Sequence, residues 1–274
     1  MHRILFLLLI LLVTSSVLAQ QPTPVKPPGI QDNSFLMEEA YNQEKGVVQH
    51  INAFMRQRNG DWIYTFTQEW PVFTQKHQLS YTIPLQRIGE TPDGGRGTGD
   101  FALNYRYQMI GNGDTRVAVS PRLSLLLPTG SYKKGLGAGA TGFQLSLPAS
   151  VVLSQHLVTH WNAGITYTPS AKNMQGEEAN LRNYNLGQSF IWQPGPRFNV
   201  LVETIWLSEE SVIGSHLTEC THSAFVNPGI RWAHNFHSGL QIVPGIAAPI
   251  GIGPSRGDRG IFLYLSFEHP LNKR

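Results

Sequence analysis

The sequence has a single cysteine, Cys220, and few charged residues, and both shortages restrict the fold. One cysteine excludes an internal disulfide, so an exported chain must be held together by backbone pairing and burial. Charged residues make up 14% of the chain, whereas ordinary soluble domains contain roughly 25%. So little charge argues against a soluble exported protein. The net charge of +3, without any basic block, excludes nucleic acid as a partner.

Long apolar runs are also missing after the amino-terminal stretch. No later uncharged segment approaches the roughly 20 residues of a transmembrane helix, so membrane insertion would require a closed sheet. Met1–Ala19 has His2 and Arg3 before an apolar core and a small-residue ending. This pattern predicts a signal peptide, residues 1–19, cleaved before Gln20. The alternative, a membrane-anchoring helix, is disfavoured because the apolar core is too short.

Residues 20–45 form a leader that differs from the rest of the chain. Gln20–Gly29 is rich in proline and predicts an extended stretch. Asn33–Gln43 predicts a short helix with Asn33 or Ser34 as its N-cap, and this segment could fold inward and close a barrel. Residues 46–274 then form one all-β domain, with no composition shift that would mark a second.

Alternating residues identify the strands of this domain. In Thr115–Leu127, Val117 and Leu123 share one face, whereas Ala118 and Ser124 share the other. Similar segments are Val47–Met55, Trp62–Val72, Leu79–Leu85, Asp100–Met109, Phe143–Leu153, Leu157–Tyr167, Leu181–Trp192, Arg197–Leu207, Ser223–His234, Gly239–Ile250 and Arg259–Phe267. The predicted fold class is all-β, a transmembrane antiparallel β-barrel of about twelve strands.

The last strand and the loops support this interpretation. Gly260, Leu263, Leu265 and Phe267 follow the spacing of the final strand of an outer-membrane barrel, through which the barrel-assembly machinery would act. Apart from the first loop, Arg58–Gly60, which should be long and is not, short joins alternate with long loops. This predicts both termini in the periplasm and a location in the outer membrane of a Gram-negative bacterium. The long loops are Gln86–Gly97, Thr129–Ala140, Ser170–Asn180, Ser208–His222 and Gly251–Asp258.

Prolines and tryptophans leave an alternative open. Pro121, Pro148, Pro228 and Pro244 lie inside predicted strands, where each should mark a bulge or an unpaired position. The tryptophans share the apolar face of their strands, as in the aromatic girdles of membrane barrels. They could also be core residues of a soluble β-sandwich. We favour the membrane barrel because a sandwich would normally show more surface charge.

Charged residues within the predicted strands lie opposite the apolar face, as lipid contact demands. The polar face should therefore line a lumen. This lumen either tunes permeation or is filled by an ion-pair network. Because its arginines outnumber its acids, we expect a mild preference for anions or polarisable aromatics. The lumen-lining candidates are Asp100, Arg106, Arg116, Arg122, His160, Arg197, Glu203 and Arg231.

Neither metal nor enzymatic chemistry has a clear sequence signature. A predicted loop contains His216, Glu219, Cys220 and His222, but their spacing matches no metal motif, so we predict no metal and no cofactor. Some outer-membrane barrels hydrolyse lipids with a serine and a histidine on the lipid-facing wall. Here the alternation places His160 on the face of its strand that is predicted to line the lumen, and no Ser/His/acid grouping falls on the outer face. We therefore predict that the protein is not an enzyme.

Loop motifs carry a family resemblance. Pro128–Gly130, Gly135–Gly139 and Gln144–Pro148, together with Glu38–Gln43 and Gly46–His50, resemble the family of outer-membrane proteins associated with the meta-pathway of phenol degradation. The resemblance implies a transporter-like barrel that admits small hydrophobic or aromatic compounds. It offers no catalytic residues.

Three functions follow as hypotheses. The first is a passive channel that contacts outer-membrane lipid and conducts a small-molecule permeant. The second is a closed structural or surface-binding barrel without transport, and the third is a lipid-active enzyme.

Overall fold

The computed structural model describes residues 30–89 and 95–271. The predicted signal peptide and the proline-rich stretch Gln20–Gly29 lie outside the described residues. Within the described ranges, no helix is long and apolar enough to cross a membrane.

The described chain contains sixteen β segments that combine into twelve strands, because four strands are interrupted once. The strands are β1 Val47–Gln57, β2 Trp62–Val72, β3 Thr74–Arg87, β4 Arg96–Thr98 with Phe101–Tyr107, β5 Val117–Val119 with Arg122–Leu127, β6 Gly142–Ser154, β7 Leu157–Lys172, β8 Glu178–Gly195, β9 Phe198–Gly214, β10 Leu217–Trp232 with His234–Asn235, β11 Gln241–Ala247 with Ile250–Gly251, and β12 Gly260–Pro270.

All neighbouring strands pair antiparallel, and the first strand pairs with the last. Val47 lies opposite Pro270 and Gln57 opposite Gly260, so the sheet closes into a cylinder without a free edge. This closure confirms the predicted barrel. The sandwich alternative is wrong because a single sheet closes on itself.

The two faces of the wall have opposite character. Leu103, Leu123 and Phe143 point outward and are 49%, 59% and 54% exposed. Polar residues of the same strands, such as Asn104 and Ser124, are buried on the inner face. An apolar outer wall and a polar interior are the arrangement that a lipid bilayer requires of a barrel. Trp192 and other outward tryptophans belong to the same wall.

Two of the predicted long loops are wrong. The hairpins of β7 with β8 and of β9 with β10 continue as paired strands, so Ser170–Asn180 and Ser208–His222 are mostly strand. The prediction failed because these extensions are polar on both faces, whereas backbone pairing does not need an apolar face. We call this end of the barrel the hairpin end. The opposite end, where the chain turns at Phe73, His156 and Phe236, is the short-turn end.

The prolines disturb pairing at some of the predicted positions. Pro121 separates the two segments of β5, and the carbonyl of Pro228 accepts the amide of Ala248 at the interruption of β11. Pro148 and Pro244 instead lie within continuous segments with no register shift beside them. However, each lacks a ladder partner on one side, Pro148 opposite the interruption of β5 and Pro244 opposite that of β10, so the expected unpaired positions are confirmed. The carbonyl of Pro148 still accepts the amide of Ser120 at 3.1 Å.

Candidate functional site in the lumen

The lumen is occupied by the stretch before β1. Residues Asp32–Gln43, which we call the inner segment, run inside the cylinder as bends without helix. The predicted helix is therefore wrong. Asn33 does cap a backbone amide, but its Oδ1 accepts from Glu39 N at 3.0 Å and closes a wider loop. The polar lumen wall supplies the hydrogen bonds that a helix would otherwise make internally.

The inner segment follows the barrel wall from strand to strand. Its amides reach Glu203 on β9, then Asn162 on β7, Ser150 on β6, and finally Gln78 on β3. It thus visits the strands in descending order. The segment makes close to one circuit of the inner wall.

Gln49 on β1 joins the two ends of this circuit. Its Oε1 accepts from Gln43 Nε2 at 2.5 Å, and its Nε2 donates to Asp32 Oδ1 at 2.9 Å. Asp32 also accepts from Tyr264 and Ser266 of β12, each at 2.5 Å. The circuit is therefore closed by hydrogen bonds between buried side chains.

Glu203 is the main anchor of the inner segment. One carboxylate oxygen accepts the amides of Phe35, Leu36 and Met37 at 2.8, 2.8 and 3.1 Å. The other oxygen accepts from Asn227 Nδ2 at 2.7 Å. Glu203 is fully buried, so these donors replace the water that the carboxylate loses.

Two of the predicted lumen arginines hold the backbone of the inner segment. Arg106 donates to the carbonyls of Glu39 and Tyr41 at 3.1 and 2.6 Å and lies 3.9 Å from the Glu69 carboxylate. Arg231 is fully buried and donates to the carbonyls of Asp32 and Asn33. Their positive charges face acceptors of the protein itself.

Arg122 also has internal partners. It forms an ion pair with Glu38 at 2.6 Å and donates to Asn104 and Gln144, each at 2.9 Å. The expected anion preference rested on a count of arginines. Since Arg106, Arg122 and Arg231 are engaged with the inner segment or the wall, that count does not measure the charge available to a permeant.

The remaining candidates lie elsewhere. His160 is buried beside the inner segment, with Nδ1 at 2.7 Å from Ser150 Oγ. Asp100 lies towards the hairpin end, where it accepts the amides of Gly130 and Ala138 at 2.9 and 2.7 Å. It orders the loop after β5 instead of facing the inner segment. The exposed candidates near the short-turn end are Arg116 and Arg197.

Wall glycines make room for the inner segment, and sequence reasoning missed them. A β-carbon built at Gly187 would collide with Met37, and one at Gly229 with Phe35. At Gly245 it would lie 2.5 Å from Phe35 Cε1. Phe35 also packs against Phe262, with ring centroids 5.5 Å apart. A glycine on the inner face of a strand signals close approach of another element.

We expect Gly245→Ala to dislodge Phe35 and destabilise the seated inner segment by about 1–3 kcal/mol, the usual cost of overpacking. Chymotrypsin cleavage after Tyr41, a buried residue of the inner segment that every variant keeps, measures this effect in the folded, detergent-solubilised barrel. Gly195→Ala is the matched control because no atom lies within 4 Å of its new β-carbon. The added change Phe35→Ala should remove the clash, and a double mutant as unstable as Gly245→Ala would contradict the assignment.

Two cavities lie on opposite sides of the inner segment. The cavity towards the hairpin end has a volume of about 310 Å³ and is lined by Asn33, Leu36 and Glu38 with strand residues such as Thr65. The cavity at the short-turn end has about 610 Å³ and is lined by other residues of the segment, including Glu39. The inner segment therefore contributes to the lining of both cavities.

The cluster predicted around Cys220 lies on the β9–β10 hairpin. His216 forms its turn, Cys220 is exposed with Sγ at 3.3 Å from Ser208 Oγ, and His222 stacks on Trp206. Among the described residues, no three His, Cys, Asp or Glu side chains converge as metal ligands.

Comparison with known proteins establishes the fold class. No family model matches the chain, and no curated protein matches it. An outer membrane channel from Pseudomonas putida F1 is similar in structure, with a TM-score of 0.59 and 11% identity over 84% of this chain and 97% of that chain. The NanC porin has a TM-score of 0.53 and 8% identity over 80% of this chain and 98% of that chain. The chain therefore has the fold of outer-membrane channels.

Proposed function

We propose that the protein is a passive outer-membrane channel for small molecules, with the inner segment as its gate. The observation that carries this proposal is the occupation of a polar lumen by a chain segment held through hydrogen bonds and packing. Such contacts can be exchanged for water, whereas the strands of the wall cannot separate in lipid without losing their pairing. A gate of this kind can move without opening the barrel.

The proposed permeants are small hydrophobic or aromatic compounds. Support comes from the apolar cluster of Phe35, Ile51 and Tyr264, which borders the hairpin-end cavity together with polar residues. The resemblance to the proteins of the phenol-degradation pathway points in the same direction. Cleavage of the signal peptide before Gln20 and insertion by the barrel-assembly machinery through β12 belong to the same proposal.

A closed structural barrel is the second candidate, because the inner segment occupies the lumen in a circuit of hydrogen bonds that Gln49 closes. A hydrolase has less support. Ser150 and His160 are hydrogen bonded, but both are buried under Ala40 on the lumen side. A lipid substrate would reach the opposite face of the wall.

Planar-bilayer recordings of the mature chain from Gln20 onward test the channel function. We expect discrete conductance steps, each with a brief closed state as the inner segment returns to the wall. The control is the same detergent extract without protein. A bilayer that remains sealed after verified insertion would reject the channel and favour the structural barrel.

A further inference from the structure

The cavity at the short-turn end has an acidic lining. Glu39, Glu44, Asp114 and Glu268 contribute carboxylates to it. None of them forms an ion pair with another described residue. No lysine, arginine or histidine is among the described residues that line the cavity.

Three buried polar atoms in the same cavity lack a partner, among them the hydroxyl of Tyr41. Glu39 is 3% exposed, and its Oε2 has no hydrogen-bond partner among the described residues. The same is true of Oε1 of Gln43, which is 4% exposed. A buried polar atom without a partner costs roughly 1–3 kcal/mol. A donor from a ligand would remove this cost.

The nearby arginines are directed elsewhere. Arg106 uses Nη1 on the carbonyl of Glu39, not on its carboxylate, and Nη2 on the carbonyl of Tyr41. Arg231 donates to the carbonyls of Asp32 and Asn33. The Glu39 carboxylate therefore has no direct hydrogen bond from either guanidinium.

We propose that this cavity binds an organic cation, a protonated amine with an apolar or aromatic body. Its ammonium donates to the Glu39 carboxylate and to Gln43 Oε1, and the Glu268 carboxyl group lines the same cavity. Tyr41 and Phe236 provide aromatic faces, which attract ammonium groups and pack against an apolar body. The volume of about 610 Å³ lies in the range of sites for small organic molecules.

The oxygen atoms that line the cavity favour an amine over a metal ion as the ligand. A divalent metal needs several oxygens converging at short distances, and the described acids form no group of three with that geometry. An anion is disfavoured because every charged lining residue is acidic. The proposed site at the short-turn end therefore prefers cations, whereas the arginine count predicted a preference for anions.

Isothermal titration of the mature chain in detergent tests the site with three aromatic probes of one size, at a mildly alkaline pH at which more of the lining carboxyl groups are ionised and phenethylammonium stays protonated. The probes are phenethylammonium, phenethyl alcohol and phenylacetate. Phenethylammonium should bind at least roughly tenfold more tightly than the other two, as expected for one charged hydrogen bond. Equal affinity for the three probes, or tighter binding of phenylacetate, would overturn the proposal.

Substitutions locate the site. Glu39→Gln and Glu268→Gln should each weaken phenethylammonium binding, the former by roughly tenfold. The matched control, Glu219→Gln, changes a carboxylate on the β9–β10 hairpin and should leave binding unchanged. Heat-modifiable migration in gels verifies that each barrel is folded. If binding persists unchanged in the Glu39 and Glu268 variants, the site is wrong.

Lys273 and Arg274 follow Pro270 in the sequence and could act as internal cations. The titrations are therefore repeated with Lys273→Gln/Arg274→Gln protein. Binding only in this variant would overturn the proposal, because the chain itself would then be the occupant. Binding does not require conductance. A bilayer that stays sealed rejects the channel function but not the amine site. Conductance without amine binding rejects the amine site but not the channel function.

Discussion

Oxidation of a Ser34→Cys/Ser189→Cys variant should abolish channel conductance, and reduction should restore it. The two hydroxyl oxygens lie 2.9 Å apart between the inner segment and β8. A disulfide needs its sulfurs at roughly 2.05 Å, so a small shift suffices to form the bond. The covalent link would hold the gate against the wall. Planar-bilayer recording before and after addition of a reductant measures the effect.

The variant is made in a Cys220→Ser background, because the native cysteine is exposed and would compete for oxidation. Each single cysteine variant is the matched control and should conduct under oxidising conditions. Conductance that persists after complete cross-linking would show that the permeant passes without movement of this part of the inner segment.

Glu203→Ala should release the inner segment and leave the channel open for most of the recording. The change removes the acceptor of three buried amides and of Asn227. Leaving a buried donor unsatisfied costs about 1–3 kcal/mol, and each 1.4 kcal/mol shifts a population by about tenfold. Open probability in bilayers and chymotrypsin cleavage after Phe35 should both rise.

Glu203→Gln keeps an acceptor oxygen in place and should have a smaller effect than Glu203→Ala. Glu209→Ala is the positional control, since this exposed carboxylate lies on the same strand. An inner segment that remains protected from chymotrypsin in the Glu203→Ala barrel would show that the space beside the wall glycines and the arginine contacts are sufficient to hold it in the lumen.

The barrel could be predicted from the sequence because lipid imposes a two-residue period on the wall. Trp62–Val72 was predicted with the bounds that the structure shows. The hairpin extensions, such as Ser208–Gly214, were missed because water contacts both of their faces and no alternation results. Strand bounds were thus predictable only at the depth of the bilayer.

The lumen was less predictable, because its contacts join residues far apart in the chain. Charge and parity placed Arg106 and Arg231 on the inner face, but their acceptors are backbone carbonyls, which every residue possesses. The path of the inner segment follows no periodicity. The one signal available was the presence of glycines inside strands, at Gly187, Gly229 and Gly245.

The contacts of Asp32 have a consequence for the closure of the barrel. This residue bonds to Gln49 on the first strand and to Tyr264 and Ser266 on the last, so it bridges the seam from within. The seated inner segment therefore reinforces the closure between the first and last strands. Since Gln31 and Gln43 both lie at the short-turn end, the inner segment can leave the lumen through one mouth while the seam stays shut.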